Sequence, residues 1–308
     1  MKTTNKLPPI IIDTDPGHDD AMAIMLLIKS KLFDVKAITT VAGNVKIQDV
    51  TNNARYVLDL LESDVPIYSG ETRPLKRQPV IAQVHGNRGL AGANITKTEK
   101  LNHEAVNQII RIVRENPHEV SIVVIGPETN IARAFIKDPE LPKIVKQLVI
   151  MGGTIEAPGN KSSVAEFNIF CDPEAAKIVF DSEVKIILNP LDVANHMPMF
   201  LEEFEKLKGS KLYQPIISMM THFIKGIEKF ELTKGALMYD PLVAYYLVNP
   251  KAYKLTNMEV HVETKGEYTY GMTVVDRRTW GEKNPNVSVI TSIDRKSFVN
   301  DFVKIIRS

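Results

Sequence analysis

Residues 8–20 read PPIIIDTDPGHDD. Three consecutive isoleucines predict a strand covered on both faces, since neither side of the pleat is left polar. Pro16-Gly17 predicts a turn, and the apolar run AMAIMLLI over 21–28 predicts a helix immediately after it. A strand feeding a helix through a tight turn is the opening of a βαβ unit.

The same alternation continues outward: VKAITTVAG (35–43) precedes VTNNARYVLDLLE (50–62), and VSIVVIG (120–126) precedes TNIARAFIK (129–137). KQLVIMGG (146–153) then precedes PEAAKIVF (173–180), and VKIIL follows at 184–188. Strands alternating with helical patterns predict an α/β fold with a mostly parallel, doubly wound (Rossmann-like) sheet. Residues 201–248 are expected to be mainly helical. MEVHV (258–262) and NVSVI (286–290) are expected to be strands, and DRKSFVNDFVKIIRS (294–308) a closing helix. These additional C-terminal helices and short strands would elaborate the sheet edge and cap the site. No Pro-, Gly- or Ser-rich linker, internal repeat or low-complexity segment divides the chain, so residues 1–308 are expected to form a single domain.

Composition narrows the function. Thirty-eight Lys and Arg balance 37 Asp and Glu, with no dense basic block, which argues against nucleic acid or an anionic membrane and leaves a small molecule as the expected partner. No apolar stretch approaches the ~18 residues of a membrane span, and the lone Cys171 has no intrachain disulfide partner. The start, MKTTNKLPPIII, carries too short an apolar run for a signal peptide, so the expected location is the cytoplasm.

In open α/β sheets ligands bind beyond the carboxyl ends of the strands. At the end of the first strand stand four aspartates, Asp13, Asp15, Asp19 and Asp20, within eight residues. Like charges so crowded raise one another's pKa unless a cation or hydrogen-bond donors compensate them. Structural readings compete for part of the cluster: Asp19 and Asp20 suit a helix N-terminus, and Asp15-Pro16-Gly17 suits a turn. A hard divalent cation held by oxygen ligands accounts for all four together. Zinc suits the sequence less, because His18, His85, His103, His118, His196, His222 and His261 show no compact ligand spacing.

The motif set DTDPGHDDAMAI (13–24), VHGNRGLAG (84–92), GPETNIA (126–132), IMGG (150–153), GNKSSVAEFN (159–168), DPEAA (172–176), YDPL (239–242) and GMTVVDRR (271–278) resembles the inosine-uridine family of nucleoside hydrolases. The resemblance implies a calcium-dependent (Ca2+) enzyme that hydrolyses the N-glycosidic bond of a ribonucleoside to ribose and free base. It implies Asp15, Asp20, the carbonyl of Ile125 and Asp240 as metal ligands, and Asp15 as the general base. Asp19 would accept the ribose 2′-hydroxyl, with Asn44, Met151, Asn160, Glu166, Phe167 and Asn168 around the rest of the substrate. It also implies a homodimer or homotetramer.

Departures from the family pattern matter. Where many relatives place a histidine credited with protonating the leaving base, this chain has Tyr239, and Asn195 replaces a second histidine. His85 matches a pocket histidine of pyrimidine-preferring relatives, which favours uridine and cytidine and makes His85 or Tyr239 the partner of the base. Three other outcomes stay open: a purine-preferring hydrolase, a calcium-dependent nucleoside- or ribose-binding protein without turnover, and an aspartate-nucleophile phosphatase suggested by the DxD pattern. Asp240-Pro241 also reads as a helix N-cap followed by Pro at the first helical position. Asp172-Pro173 is assigned to capping alone, His85 has a competing reading as an exposed loop residue, and Trp280 and the methionines are expected to pack in the core.

Overall fold

A computed structural model of the chain describes residues 6–230, 233–278 and 280–308. Residues 1–5 of the N-terminal stretch read above, and residues 231–232 of the helical region, lie outside the described residues.

The strands are β1 (Pro9–Thr14), β2 (Asp34–Thr40), β3 (Ile67–Ser69), β4 (Ser121–Val124), β5 (Gln147–Met151), β6 (Ile186–Asn189), β7 (Pro198–Met199), β8 (Ala236–Leu237), β9 (Tyr253–Met258), β10 (Val260–Val262), β11 (Thr273–Val275) and β12 (Val287–Ile293). Eight form one sheet in the order β3-β2-β1-β4-β5-β6-β12-β9. All neighbours in it are parallel except β12 and β9 at the edge. The chain thus winds outward from β1 in one direction and resumes from β4 in the other, which opens a crevice at the carboxyl ends of β1 and β4.

Burial on both faces explains the unbroken apolar strands. Ile10 and Ile12 pack with helix α1 (His18–Ser30), together with the helices Tyr213–Phe230, Tyr239–Val248 and Arg295–Arg307. Ile11 faces the opposite layer, built on the helices Ala105–Glu115, Thr129–Lys137 and Pro173–Phe180. Val123 and Val149 point to the first layer, Ile122, Val124, Leu148 and Ile150 to the second. The fold is therefore the expected single α/β domain with a large, mostly parallel sheet flanked by helices.

Three details differ from the sequence expectation. MEVHV is not one strand: Met258 ends β9 in the main sheet, while Val260–Val262 pairs antiparallel with Thr273–Val275 in a separate ribbon. Val260 and Val262 are buried and His261 points out, so the ribbon covers the second layer with one face only. Trp280 is 68% exposed and does not pack in the core; the Arg278 guanidinium lies 4.8 Å over its ring. Strand β3 and the helix Ala105–Glu115 lie outside the segments read from the sequence.

Candidate active site

The carboxyl ends of β1, β2, β4 and β5 converge on one cleft of about 310 Å³, large enough for a drug-sized ligand. Its polar floor carries Asp19, Asn44, Glu166, Asn168 and Asp240, and its wall carries His85, Phe167, Phe223, Ile227 and Phe230. Ile125, Met151, Asn160 and Tyr239 line it as well.

Asp15 sits at the crevice between the two halves of the sheet. Its Oδ2 accepts the Asn44 backbone N–H at 2.6 Å, and its carbonyl accepts the Asn44 side-chain amide at 3.1 Å. Its Oδ1 is buried and has no hydrogen-bond partner. The loops after β2 and β4 approach this carboxylate through glycines: a Cβ on Gly43 would stand 2.1 Å from Oδ2, and one on Gly126 would stand 2.8 Å from Oδ1. No larger residue leaves room for the carboxylate.

Asp20 has the structural role expected at a helix N-terminus. Its Oδ1 accepts the Thr14 hydroxyl at 2.6 Å, and its Oδ2 accepts Gly17 N–H at 2.9 Å, closing the first turn of α1. Asp240 arrives from the far end of the chain. The helix that carries it begins at Tyr239 with Met238 as N-cap, so Asp240 lies within the first turn and is not the cap expected from Asp240-Pro241.

Carboxylate oxygens of Asp19, Asp20 and Asp240 all lie within 4.8 Å of one another, and all three residues are buried. This group shares Asp20 and Asp240 with the expected metal set; it includes Asp19, and Asp15 stands beside it with its free oxygen. Burial raises the pKa of Asp15, Asp19 and Asp240 well above the ordinary carboxylate range, and the charge of a neighbouring aspartate adds to the rise. Burial raises Asp20 too, against the hydrogen bonds from Thr14 and Gly17. Among the described residues no ion pair reaches these carboxylates. Converging, buried, oxygen-only donors with an unpartnered oxygen alongside fit a hard divalent cation.

The next residues out are anchored by local bonds. Glu166 caps the helix Phe167–Cys171, accepting Asn168 N–H at 2.9 Å and Ile169 N–H at 3.1 Å, and it also accepts Gly153 N–H at 3.1 Å. Burial still raises it to about 7. Asn160 accepts Phe167 N–H at 2.9 Å, and the Asn168 amide donates to the Met151 carbonyl at 3.2 Å and the Ile125 carbonyl at 3.5 Å. Asp172 caps its helix through Ala175 N–H, as expected, and also accepts Thr129 Oγ1 and Leu75 N–H.

His85 is buried, contrary to its exposed-loop reading. Its ring stacks on Phe223 at 5.3 Å and on His18 at 5.4 Å, and Gly17 leaves the space it occupies, since a Cβ there would meet His85 Nδ1 at 2.7 Å. Burial lowers His18 to about 4 and His85 well below its usual value, so both are neutral at pH 7. The two departures from the family pattern meet: the Tyr239 hydroxyl donates to Asn195 Oδ1 at 3.2 Å. Sequence reasoning left out His18, Phe223, Ile227 and Phe230. The last three recur at helical spacing, a signal that does not separate a cleft wall from a core face.

No helix among the described residues is long and apolar enough to cross a membrane. Residues 10–300 match the family model described as inosine-uridine preferring nucleoside hydrolase. The chain is 38% identical over 299 residues to the pyrimidine-specific ribonucleoside hydrolase RihA of Shigella boydii, covering 95% of this chain and 96% of that protein. A solved plant nucleoside hydrolase superposes with a TM-score of 0.90 at 30% identity, covering 98% of this chain and 99% of the other. A purine-preferring ribonucleoside hydrolase from Gardnerella vaginalis gives a TM-score of 0.90 at 28% identity, over 97% and 98% of the two chains. A match along nearly the whole length, with the aspartate-lined cleft at the sheet's crevice, means that the chain belongs to the inosine-uridine preferring nucleoside hydrolase family.

Proposed function

We propose that this enzyme hydrolyses the N-glycosidic bond of pyrimidine ribonucleosides, uridine and cytidine, to ribose and free base in a calcium-dependent reaction. The observation that carries the reading is the buried carboxylate group in a cleft that is also lined by aromatic and apolar side chains. A sugar diol suits the floor and a flat base suits the wall. The pyrimidine-specific name of the 38% identical relative and the presence of His85 favour the smaller bases.

Calcium held by Asp15, Asp20, Asp240 and the Ile125 carbonyl, with Asp19 close by, would supply Lewis-acid polarisation of a water and of the ribose hydroxyls. Asp15, with a free Oδ1, takes the proton of the attacking water. Asp19 accepts the ribose 2′-hydroxyl. Asn44, Asn160, Glu166 and Asn168 orient the sugar, and their oxygens stabilise the positive charge that develops on the ring as the bond breaks. Met151 and Phe167 close the sides of the cleft. His85 meets the base, and the Tyr239 phenol lines the same cleft with a hydroxyl able to donate. On the family pattern the enzyme works as a homodimer or homotetramer.

Release of free base from uridine, cytidine and inosine, measured with and without a calcium chelator, tests the reading. Uridine and cytidine are expected to be cleaved faster than inosine, and chelation is expected to stop all three. A preference for inosine would overturn the pyrimidine assignment, and ribose binding without base release would make the protein a binder.

A further inference from the structure

Beyond Met151, the last residue of β5, the chain turns through residues 152–157, and two side chains that do not line the cleft hold this turn. Asp192, on the short helix Leu191–Ala194 after β6, accepts three successive backbone N–H groups. Ile155 donates to Oδ2 at 2.7 Å, and Glu156 and Ala157 donate to Oδ1 at 2.6 and 2.9 Å. Converging N–H groups of this kind form a nest for an anion, and here the anion is a side chain of the protein itself. The Thr154 hydroxyl donates to the Ala157 carbonyl and closes the turn from inside. From the other side comes Thr273 of β11, which is fully buried. Its hydroxyl accepts Thr154 N–H at 2.9 Å and donates to the Thr154 carbonyl, so the peptide groups on both sides of one residue are pinned. Its methyl takes the place of a side chain at Gly153, whose φ is +69°: a Cβ there would stand 2.7 Å from Thr273 Cγ2.

What the turn delivers is the Gly153 N–H, which donates to Glu166 Oε2 at 3.1 Å. The N–H groups of Asn168 and Ile169 also donate to Glu166, but they belong to the helix that Glu166 caps and fix its carboxylate relative to that helix alone. Gly153 supplies the bond that ties it to the sheet, since the Gly153 carbonyl accepts Leu191 N–H at 3.0 Å just beyond β6. We propose that Asp192 and Thr273 are positioning residues, which clamp the 152–157 turn from two sides so that Gly153 holds the Glu166 carboxylate in the cleft. A carboxylate fixed before the substrate arrives meets developing positive charge without reorganising, and that is where such a group gains its effect. The inference rests on the ribonucleoside hydrolase reading only for the role of Glu166; the clamp itself stands on geometry.

Two measurements test it. The first is amide-resolved hydrogen exchange of the calcium-loaded, substrate-free protein, in which Gly153, Ile155, Glu156 and Ala157 are expected to exchange slowly. Asp192→Asn keeps the size of the side chain but has one accepting oxygen where backbone N–H groups face both, and Thr273→Val keeps the methyl but removes the hydroxyl. Each is expected to speed exchange at Gly153 by about tenfold or more while β1 and β4 stay as protected as before. Unchanged protection of Gly153 in either variant overturns the role given to that residue. The second is a double-mutant cycle with Glu166→Gln. Asp192→Asn is expected to lower kcat/KM for uridine about tenfold in the native background and less than about twofold beside Glu166→Gln, because its effect passes through that carboxylate. Equal losses in the two backgrounds overturn the proposal. Thr273→Ser, which keeps the hydroxyl, is expected to stay within about twofold of the native enzyme, and a loss as large as that of Thr273→Val overturns the part given to the hydroxyl. Should Asp192→Asn fail to fold, the Thr273 pair carries both measurements. Absence of turnover by the native enzyme on any ribonucleoside would defeat the activity reading, while the exchange measurement would still decide the clamp.

Discussion

Asp15, beside the buried acidic group, and His85, which lines the cleft, are placed by different routes. Asp15 follows β1 directly, and its position is set by a buried strand, a turn and two glycine-bearing loops that approach its carboxylate. His85 lies within residues 70–104, which contain no helix or strand, and is placed by stacking on residues from α1 and from the helix Tyr213–Phe230. The floor of the cleft is therefore fixed by the sheet, whereas the wall depends on packing between distant segments. On the proposed function, chemistry common to all substrates belongs on the first, and discrimination between bases belongs on the second.

The largest expected effect tests the floor. Asp15→Asn preserves shape and leaves an oxygen to accept the Asn44 N–H, but it removes the base and one negative charge. We expect kcat/KM for uridine to fall by about 10³-fold, or roughly 4 kcal/mol, with the circular dichroism spectrum unchanged. A loss below about tenfold would separate Asp15 from the chemistry and erase the contrast with the wall.

Buried carboxylates, those of the floor together with Asp15 beside it and Asp13 bonded to Thr39 and Asn130, should also govern pH-dependent stability. Asp13 and Glu166 have pKa values near 7, and Asp15, Asp19 and Asp240 lie well above the ordinary value, all chiefly from burial. In the metal-free protein the folded state binds more protons than the unfolded chain from about pH 4 upward. Their contribution to stability is complete below about pH 4 and is lost as pH rises through the folded values. Thermal melts in chelator should therefore show Tm falling between pH 5 and 8. Calcium at a hundredfold excess over its Kd should restore about 2.7 kcal/mol near pH 8, because the cation binds the ionised carboxylates. A chelated Tm that is flat with pH would contradict the assignment of these buried charges.

The difference between floor and wall also explains what the sequence revealed. The unbroken apolar runs of β1, β4 and β5 announced a doubly covered sheet, and the aspartates lie so near the end of β1 that their clustering needed no tertiary information. Asp240 is more than 200 residues away, and only the family motif YDPL pointed to it. In the sequence His18 is one of seven histidines without compact ligand spacing, and its contact with a loop histidine 67 positions later is purely tertiary. Phe223, Ile227 and Phe230 carry the same spacing as core residues of their helix. The capping role of Glu166 is not legible in the sequence, because an N-cap at the start of a five-residue helix has little periodicity around it.

Two substitutions on the wall compare its polar members. His85→Ala removes the group facing the base and is expected to lower kcat/KM for uridine by about 10²-fold. Tyr239→Phe should cost less than about tenfold, since the phenol already donates to Asn195. Steady-state kinetics of the two variants decides the order. A larger loss in Tyr239→Phe would make the phenol the proton donor and shift chemistry from the floor to the wall.

The smallest effect belongs to Phe230, which lines the mouth of the cleft and is 44% exposed. Truncating a fully buried aromatic costs about 3–5 kcal/mol of stability, but a ring this exposed has already kept much of its surface in water. Phe230→Ala should therefore leave Tm nearly unchanged and act only on ligands that reach the mouth. A pyrimidine is small enough to sit deeper, against His85 and Phe223, so KM for uridine should rise less than about threefold, with kcat unaltered because the floor is untouched. Inosine has a larger base that extends farther outward, and its KM should rise more than that of uridine. If the two change equally, Phe230 does not sense the size of the base and the discriminating wall ends at Phe223.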